Sequence, residues 1–213
     1  MSDTGLLASQ ITSDVLSQAI VPALAAFSIQ AETAEHVGAR EALLDRAMGK
    51  SRKRKSSEAI RRGRRPAEGL AFSAVSVSGE LLGTLRLWHV AAGTKDGKPV
   101  LALLLGPLAV SPEAQGLGLG GALMRHAIDA ASRLGHGVIL LVGDPEYYER
   151  FGFSACETGG LAMPGPFEPR RLLALELNLG AIAGACGRIV GTGARIGEMG
   201  HRRFSSDGFA VAA

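Results

Sequence analysis

The sequence has few cysteines and few aromatic residues, and each shortage excludes a class of protein. Among its 213 residues there are two cysteines, Cys156 and Cys186, without C-x-x-C spacing and without a nearby histidine cluster. A disulfide framework or a cysteine-based zinc site is therefore not expected, and we predict no metal. Aromatic residues make up 5% of the chain, so we expect a core of mainly Leu, Val, Ile and Ala.

The sequence also lacks a long apolar run and a basic leader. The apolar start, VLSQAIVPALAAFSI, is interrupted by Pro22 and has no Lys or Arg before it, which argues against a signal peptide. No uninterrupted apolar run approaches the roughly 20 residues that cross a membrane. These features predict a soluble cytoplasmic protein with one domain of ordinary size.

Acidic residues are scarce in one segment, Lys50 to Arg65, which reads KSRKRKSSEAIRRGRR. It holds nine Lys or Arg against the single acid Glu58, whereas the whole chain carries a net charge of +3. The segment is either a solvated surface, an attractor for an acidic acceptor or a ligand phosphate, or a nucleic-acid-binding element. It has no interleaved aromatic residues on which bases would stack, so nucleic acid is the less favoured partner.

Hydrophobic patterning predicts a mixed α/β domain whose first strands form an antiparallel meander. The stretch FSIQAE, from Phe27 to Glu32, alternates as a strand does, and Thr33 offers an N-cap for the helix that follows. The next predicted elements are a hairpin around Ser78-Gly79-Glu80, a second turn over Gly93–Pro99, and the strand VLALLLGPLAV. Consecutive strands joined in this way pair antiparallel.

The second half of the pattern alternates helix and strand. Leu119, Leu123, Ala127, Ala130 and Leu134 recur at helical spacing, and VILLV, residues 138–142, is apolar throughout, as in a strand covered on both faces. A last strand, RLLALELNL, ends at Leu179. We therefore predict an N-terminal extension over 1–26, a domain over 27–179, and a Gly/Ala-rich C-terminal extension over 180–213.

The most informative stretch is SPEAQGLGLGG, residues 111–121, which lies between a predicted strand and a predicted helix. A flexible turn is one explanation, although glycine is entropically costly. Gly116-x-Gly118-x-x-Gly121 also matches the Rossmann fingerprint, but SPEAQ separates it from the strand and the preceding strands form a meander. The third explanation, bare amides that hold a pyrophosphate at a helix N-terminus, fits this context best.

Two motifs together resemble a known family. The stretch from Val110 to Gly120, VSPEAQGLGLG, resembles the acetyl-CoA signature of the GNAT N-acetyltransferase superfamily, Gln/Arg-x-x-Gly-x-Gly/Ala after a strand. YERFGF, residues 148–153, resembles the Tyr-x-x-x-Gly-Phe element of the same enzymes. The motifs are in the family's order, with a helix and an apolar strand between them, and the resemblance covers residues 27–179.

The resemblance implies a GNAT-type fold, in which a mixed, mostly antiparallel sheet flanked by helices is splayed to admit acetyl-CoA. It implies acetyl transfer to a primary amine, of a small molecule or a protein, by direct attack, with acetyl-CoA as cosubstrate. Backbone groups of one strand end would bind the pantetheine and the oxyanion, and the next amides would bind the pyrophosphate. The strand-end residues are Leu108, Ala109 and Val110, and the amides are those of Gln115, Gly116, Leu117, Gly118, Leu119 and Gly120.

The resemblance makes Tyr148 the candidate general acid. A phenol pKa near 10 roughly matches the thiol of coenzyme A, so proton transfer to the leaving sulfur would be nearly balanced. His89 has a suitable pKa for a general base, but a single strand histidine is usually structural, and the base stays unassigned. A homodimer is a further expectation. The alternative function is a non-catalytic protein that binds CoA, or nucleic acid through residues 50–65.

Overall fold

The computed structural model describes residues 26–197, in which eight strands form the central sheet. The strands are β1 Phe27–Ala31, β2 Ala71–Ser76, β3 Leu81–Lys95, β4 Lys98–Val110, β5 Val138–Val142, β6 Leu161–Ala162, β7 Leu172–Glu176 and β8 Cys186–Gly191. The helices are α1 His36–Met48, α2 Ser56–Arg61, α3 Leu119–Arg133 and α4 Pro145–Tyr148.

The sheet is mostly antiparallel, as the sequence predicts. The strand order is β1-β2-β3-β4-β5-β7; β2 to β4 form the predicted meander, and β1 pairs antiparallel with β2 at its edge. Strand β5 runs parallel to β4, and β7 runs antiparallel to β5. A doubly wound dinucleotide-binding sheet would be parallel throughout, so this topology rules out the Rossmann interpretation of the glycine stretch.

The two hairpin turns of the meander differ in how well the sequence locates them. Gly79 has φ 85° in the predicted turn between β2 and β3. The second turn is shorter than the predicted Gly93–Pro99, because β3 continues to Lys95 and the chain reverses at Asp96 (φ 51°) and Gly97 (φ 75°). Two consecutive positive φ values are the geometry of a two-residue hairpin loop.

The start of α1 also differs from the prediction. The helix begins at His36, not after a cap at Thr33, because the Thr33 amide donates to His36 Nδ1 (3.1 Å) and its carbonyl accepts from the His36 amide. Leu43 and Leu44 face the core, whereas Val37, in the first turn of the helix, is 42% exposed.

Helix α3 and the strand VILLV position the core on both sides of the sheet. Leu123 and Ala127 of α3 are fully buried against β2, β3 and β4. In β5, Ile139 and Leu141 face this cluster, and Val138 and Leu140 face a second cluster on the opposite side. This arrangement confirms the predicted burial of β5 on both faces.

The sheet extends beyond Leu179, into the segment for which the sequence predicts an appendage. Strand β8 pairs antiparallel with β3 and parallel with β6, and its Ile189 is fully buried. Gly93 of β3 lies at a register shift in this pairing, beside β8, and a Cβ built on Gly93 would overlap the carbonyl group of Cys186. The glycine that resembles a turn signal in the sequence therefore allows two strands to approach closely.

The basic segment is folded and partly buried. Residues 50–54 form a 3₁₀ turn that leads into α2, and Arg52 and Arg61 are 5% and 8% exposed. Arg52 pairs with Glu41 and Asp45 of α1. These ion pairs explain why the run is not simply a solvated surface, since buried guanidinium groups need charged partners.

Strands β4 and β5 touch over a short length and then separate. The described pairing joins Leu103 to Ile139 and Leu104 to Leu140. Beyond these residues β4 has a register shift opposite Arg86, at Gly106 and Pro107, and Trp88 Nε1 donates to the Gly106 carbonyl at 2.6 Å. A bulge bends the strand that carries it. The predicted splay is thus present in the fold.

Within residues 26–197, no helix has the length and apolarity needed to cross a membrane.

Candidate active site

A cavity of about 100 Å³, here called the interstrand cavity, lies where β4 and β5 separate. Strand β4 forms one wall and the end of β5 another, and α1, α2 and the preceding 3₁₀ turn cover it. Its lining residues are Met48, Lys55, Ser57, Arg61, Leu105, Gly106, Pro107, Leu108, Leu141, Val142 and Tyr148. The bulge, the strand end and the predicted catalytic tyrosine therefore meet in one place.

The backbone of β4 presents polar groups to this opening. The Ser111 amide donates to the Leu82 carbonyl at 2.7 Å, which fixes the alternation of hydrogen bonds along the strand. In an antiparallel ladder every second residue turns its N–H and C=O away from the partner strand. The N–H groups of Leu108 and Val110 consequently point away from β3, toward the side that β5 has left.

Tyr148 ends α4 and is held tightly against the end of β5. A Cβ built on Gly143 would lie 2.8 Å from Tyr148 Cδ2, so glycine is needed there for the ring to occupy its position. The rings of Tyr148 and Tyr147 meet edge to face at 4.9 Å between centroids. Burial raises the pKa of Tyr148 to about 12, with smaller contributions from Tyr147 and Asp144.

Asp144 occupies the N-cap position of α4 but does not use its carboxylate there. Its carbonyl accepts from the amides of Tyr147 and Tyr148, and its carboxylate lies 3.2 Å from Arg171 Nη2. The backbone of Asp144 therefore begins the short helix that carries Tyr148, while its side chain joins that helix to the start of β7.

The glycine stretch forms a loop that ends as the N-cap of α3. Gly116 and Gly118 have φ of 81° and 76°, a region that side-chain-bearing residues rarely adopt. A Cβ at either position would meet nothing within 4 Å, so backbone conformation, not space, requires glycine here. No side chain caps α3, and its first N–H groups are left free for a ligand.

A second cavity of about 460 Å³, here called the glycine-loop cavity, opens above this loop. Helix α3 supplies Arg125, and the turn after α4 supplies Arg150. None of the lining residues is acidic; they are Val110, Ala114, Gln115, Gly116, Gly118, Leu119, Gly120, Gly121, Arg125, Tyr147, Arg150 and Phe151. Two cations and a helix N-terminus make the cavity suited to an anion.

Arg125, Arg150 and Tyr147 line the glycine-loop cavity, and the sequence analysis does not include them among the candidate binding residues. The four-residue spacing of Arg125, Asp129 and Arg133 allows an ion pair of Asp129 with either arginine, and in the structure Asp129 pairs with Arg133. Arg125 instead reaches back one turn, and its Nη atoms lie 3.7 Å from a Cβ built on Gly121. Residues four apart lie on the same face of a helix, so the spacing of Gly121 and Arg125 in the sequence would have indicated that the Arg125 side chain lies near the glycine loop.

The structure separates two of the predicted binding residues from the rest. Ala109 is 4% exposed, and its side chain packs in a small cluster with Leu43 and Leu44 of α1. Leu117 packs against the main core. At Leu117 only backbone groups remain for a ligand. At Ala109 the N–H and C=O face Thr84 of β3 in the ladder, so the predicted contact of Ala109 with the pantetheine does not fit the strand, whereas Leu108 and Val110 keep outward-facing backbone groups. His89 lies beside His136, with ring centroids 5.4 Å apart, and lines neither cavity.

Comparison with known proteins gives two sequence matches. Residues 69–155 match the family model described as "Acetyltransferase (GNAT) domain". A segment of 64 residues is 41% identical to the "Uncharacterized N-acetyltransferase YjhQ" of Escherichia coli (strain K12). That segment covers 30% of this chain, and the match spans 35% of the relative's length.

Solved structures share the fold over a longer range. The GNAT family N-acetyltransferase YhbS of Escherichia coli, crystallised in complex with CoA, superposes with a TM-score of 0.64 at 22% identity, over 78% of this chain and 89% of that one. An acetyltransferase of the GNAT family from Staphylococcus aureus Mu50 superposes with a TM-score of 0.50 at 16% identity, over 72% of this chain and 100% of that one. At these identities the likeness concerns the fold.

Proposed function

We propose that this chain is an N-acetyltransferase of the GNAT superfamily that transfers the acetyl group of acetyl-CoA to a primary amine. The observation that carries the proposal is the opening between β4 and β5, with the glycine-loop cavity beside it and Tyr148 in its wall. The matches to GNAT proteins support the same reaction class.

The glycine loop suits the pyrophosphate of acetyl-CoA. Amides from Gln115 to Gly120 supply uncharged donors, and Arg125 and Arg150 add positive charge beside them. Such a cradle needs no particular side chain in the loop, since the donors belong to the backbone. The outward N–H and C=O groups of Leu108 and Val110 are placed to pair with the pantetheine amides, as an added strand would.

The proposed reaction is direct attack. The amine nitrogen forms a bond to the thioester carbonyl carbon, the C–S bond breaks, and the proton lost by nitrogen balances the proton gained by sulfur. The Leu108 N–H is our candidate donor to the oxyanion, because it faces the opening from a strand held rigidly by β3. A preorganised donor of this kind is typically worth about 3–4 kcal/mol in the transition state.

Tyr148 is the proposed donor to the leaving sulfur. With its pKa raised to about 12 the phenol is protonated at every physiological pH, as an acid must be. The raised pKa also makes proton transfer from Tyr148 to the leaving sulfur unfavourable, because Tyr148 is then a weaker acid than the thiol. An ordinary phenol would transfer the proton with almost no change in free energy. We therefore assign it a hydrogen bond to the departing thiolate, with the proton from the amine completing the exchange.

Calorimetric titration with acetyl-CoA, set beside NAD, tests the binding half of the proposal. We expect acetyl-CoA to bind and NAD not to bind. A thiol-release assay with a panel of primary amines then tests catalysis. Absence of acetyl-CoA binding would contradict the proposal, and binding without thiol release for any amine would favour a non-catalytic CoA-binding protein.

A further inference from the structure

A third cavity, of about 210 Å³, lies behind the bulge of β4, on the side of α1 and α2. We call it the arginine pocket. It shares Arg61 and Pro107 with the interstrand cavity, so the two are neighbours across the bulge. Its charged lining residues are Glu41, Arg52, Lys53, Glu58, Arg61, Arg62, Arg64 and Arg86.

The charges of the arginine pocket do not cancel. Six cationic side chains face two carboxylates, which leaves a net charge of +4 in its lining. Including the neighbouring side chains of Glu32, Arg40 and Asp45 still leaves an excess of cations. A concave surface of one sign concentrates field lines and attracts a ligand of the opposite sign.

The carboxylates of this region are already committed to the deepest arginines. Glu41 and Asp45 hold Arg52, and Glu58 holds Arg61 through its Nε at 2.6 Å. These pairs fix the inner wall, because both guanidinium groups are more than nine-tenths buried. The inner wall is therefore rigid before any ligand arrives.

The rim of the pocket is different. Arg62 donates to the carbonyl of Lys53 at 2.9 Å, and Arg64 donates to the carbonyl of Gly193 at 2.6 Å. Among the ion pairs of the described residues, none involves Lys53, Arg62 or Arg64. These three side chains thus carry positive charge that the rest of the described chain does not neutralise.

We propose that the arginine pocket binds an anionic group, a phosphate or a carboxylate, on the acceptor amine. The inference rests on the proposed function, since it assumes that the amine meets the thioester in the interstrand cavity. An amine in that cavity would have its anionic end behind the bulge, past Arg61. Planar guanidinium groups match the oxygens of phosphate and carboxylate in pairs.

Two observations favour the acceptor over coenzyme A as the source of the anion. The arginine pocket shares no lining residue with the glycine-loop cavity, which has cations of its own in Arg125 and Arg150. Its volume of about 210 Å³ is below that of a typical drug-sized site. A small charged end group fits such a space, whereas a nucleic-acid strand would need an extended groove.

The test compares matched amines and matched variants. O-phosphoethanolamine is assayed against ethanolamine, and β-alanine against 3-aminopropan-1-ol, by thiol release with acetyl-CoA. The rim variant is Lys53→Gln with Arg62→Gln. The control is Lys50→Gln with Arg54→Gln, which removes the same charge from exposed positions of the same segment outside the pocket.

We expect the unmodified protein to prefer each anionic amine over its neutral partner by about tenfold or more in kcat/KM, the size of one charge-assisted hydrogen bond. The rim variant should lose this preference and keep its activity on the neutral amine, and the control should retain both. Equal use of both members of each pair, or an equal loss in the control, would overturn the inference and leave the acetyltransferase intact. Failure to bind acetyl-CoA would overturn the proposed function and this inference with it.

Discussion

At the scale of single residues, the two adjacent tyrosines are placed for different tasks. Tyr148 lines the interstrand cavity, and Tyr147 lines the glycine-loop cavity. We expect Tyr148→Phe to lower kcat by about 10², the lower end for the loss of one hydrogen-bond donor to a developing negative charge, with the Kd for acetyl-CoA nearly unchanged. Tyr147→Phe should weaken acetyl-CoA binding more than it lowers kcat.

Single-turnover kinetics and calorimetry on the two variants check this division. An unchanged kcat in Tyr148→Phe would remove that hydroxyl from the mechanism. An equal loss of affinity in both variants would mean that the rings act together as packing, since they are in edge-to-face contact.

The raised pKa of Tyr148 can be measured directly. Because burial disfavours the phenolate, Tyr148 should ionise near pH 12, whereas an ordinary tyrosine ionises near 10. Tyr148→Phe should remove the rise in tyrosinate absorbance near pH 12. Retention of that rise in the variant would contradict the assignment.

The same shift links pH to stability, and its sign is definite. A group whose pKa is higher in the folded state stabilises the fold fully below the unfolded pKa, and this contribution disappears as pH rises. Ionisation of Tyr148 should therefore lower the free energy of unfolding by up to about 2–3 kcal/mol as the pH rises from 10 to 12. Urea unfolding of the wild-type protein and Tyr148→Phe across this range isolates the difference.

At the scale of structural elements, the glycine loop depends on its backbone geometry. Gly118→Ala places a Cβ in open space but at φ 76°, which costs about 1–2 kcal/mol for an L-residue. We expect the loop to relax away from this geometry, and the affinity for acetyl-CoA to fall about tenfold or more.

Gly79→Ala is the matched control for this substitution. Gly79 also has a positive φ and open space around its Cβ position, but it lies in the hairpin between β2 and β3. Both variants should lose similar stability in thermal unfolding, and only Gly118→Ala should lose binding. Equal binding in the two variants would show that the loop does not hold the ligand.

The elements that the sequence predicts well are those whose signals are local. The periodicity of α3, the apolar run of β5 and the glycine stretch depend on neighbours in the chain, and the three elements form where the pattern predicts them. The exception is Leu134, which the periodicity includes but which is 55% exposed just after α3 ends at Arg133. The predicted turn wrongly included Gly93, because this glycine allows close packing against β8, a strand about 95 residues later in the chain. The sequence does not distinguish a glycine in a turn from a glycine that allows a distant strand to pack closely beside its own strand.

Residues of the candidate site also differ in how well the sequence predicts them, according to whether their signal is local. The sequence signature predicts Tyr148 and the loop from Gln115 to Gly120 as parts of one site, because a signature records a local backbone geometry. In the structure Tyr148 lines the interstrand cavity and the loop lines the glycine-loop cavity. The signature did not identify Arg125 or the arginine pocket. Both depend on which acid each arginine meets after folding, and several acids lie within reach in the sequence.

At the scale of the whole molecule, β8 joins the C-terminal part of the described chain to the sheet. Gly93→Ala would force the backbone of Cys186 away from β3, and the buried Ile189 would lose part of its packing. We expect a loss of about 2–4 kcal/mol in the free energy of unfolding, the size of a disrupted core contact.

Gly97→Ala controls for the backbone strain of this change. Gly97 also has a positive φ, in the turn between β3 and β4, and nothing lies within 4 Å of its Cβ position. Urea unfolding should show a smaller loss for Gly97→Ala than for Gly93→Ala. Equal losses would assign the whole effect to strain, and none of it to the contact with β8.

The short contact between β4 and β5 has a mechanical consequence. In the described chain, backbone pairing across the middle of the sheet runs through Leu103, Leu104, Ile139 and Leu140. One part of the sheet, formed by β1 to β4 with β8, is thus joined to the other part, β5 with β7, over a short length. A ligand that hydrogen-bonds to the backbone of both parts would hold them at a fixed angle. Ligand binding would then stiffen the protein as a whole without altering the hydrogen bonds inside either part.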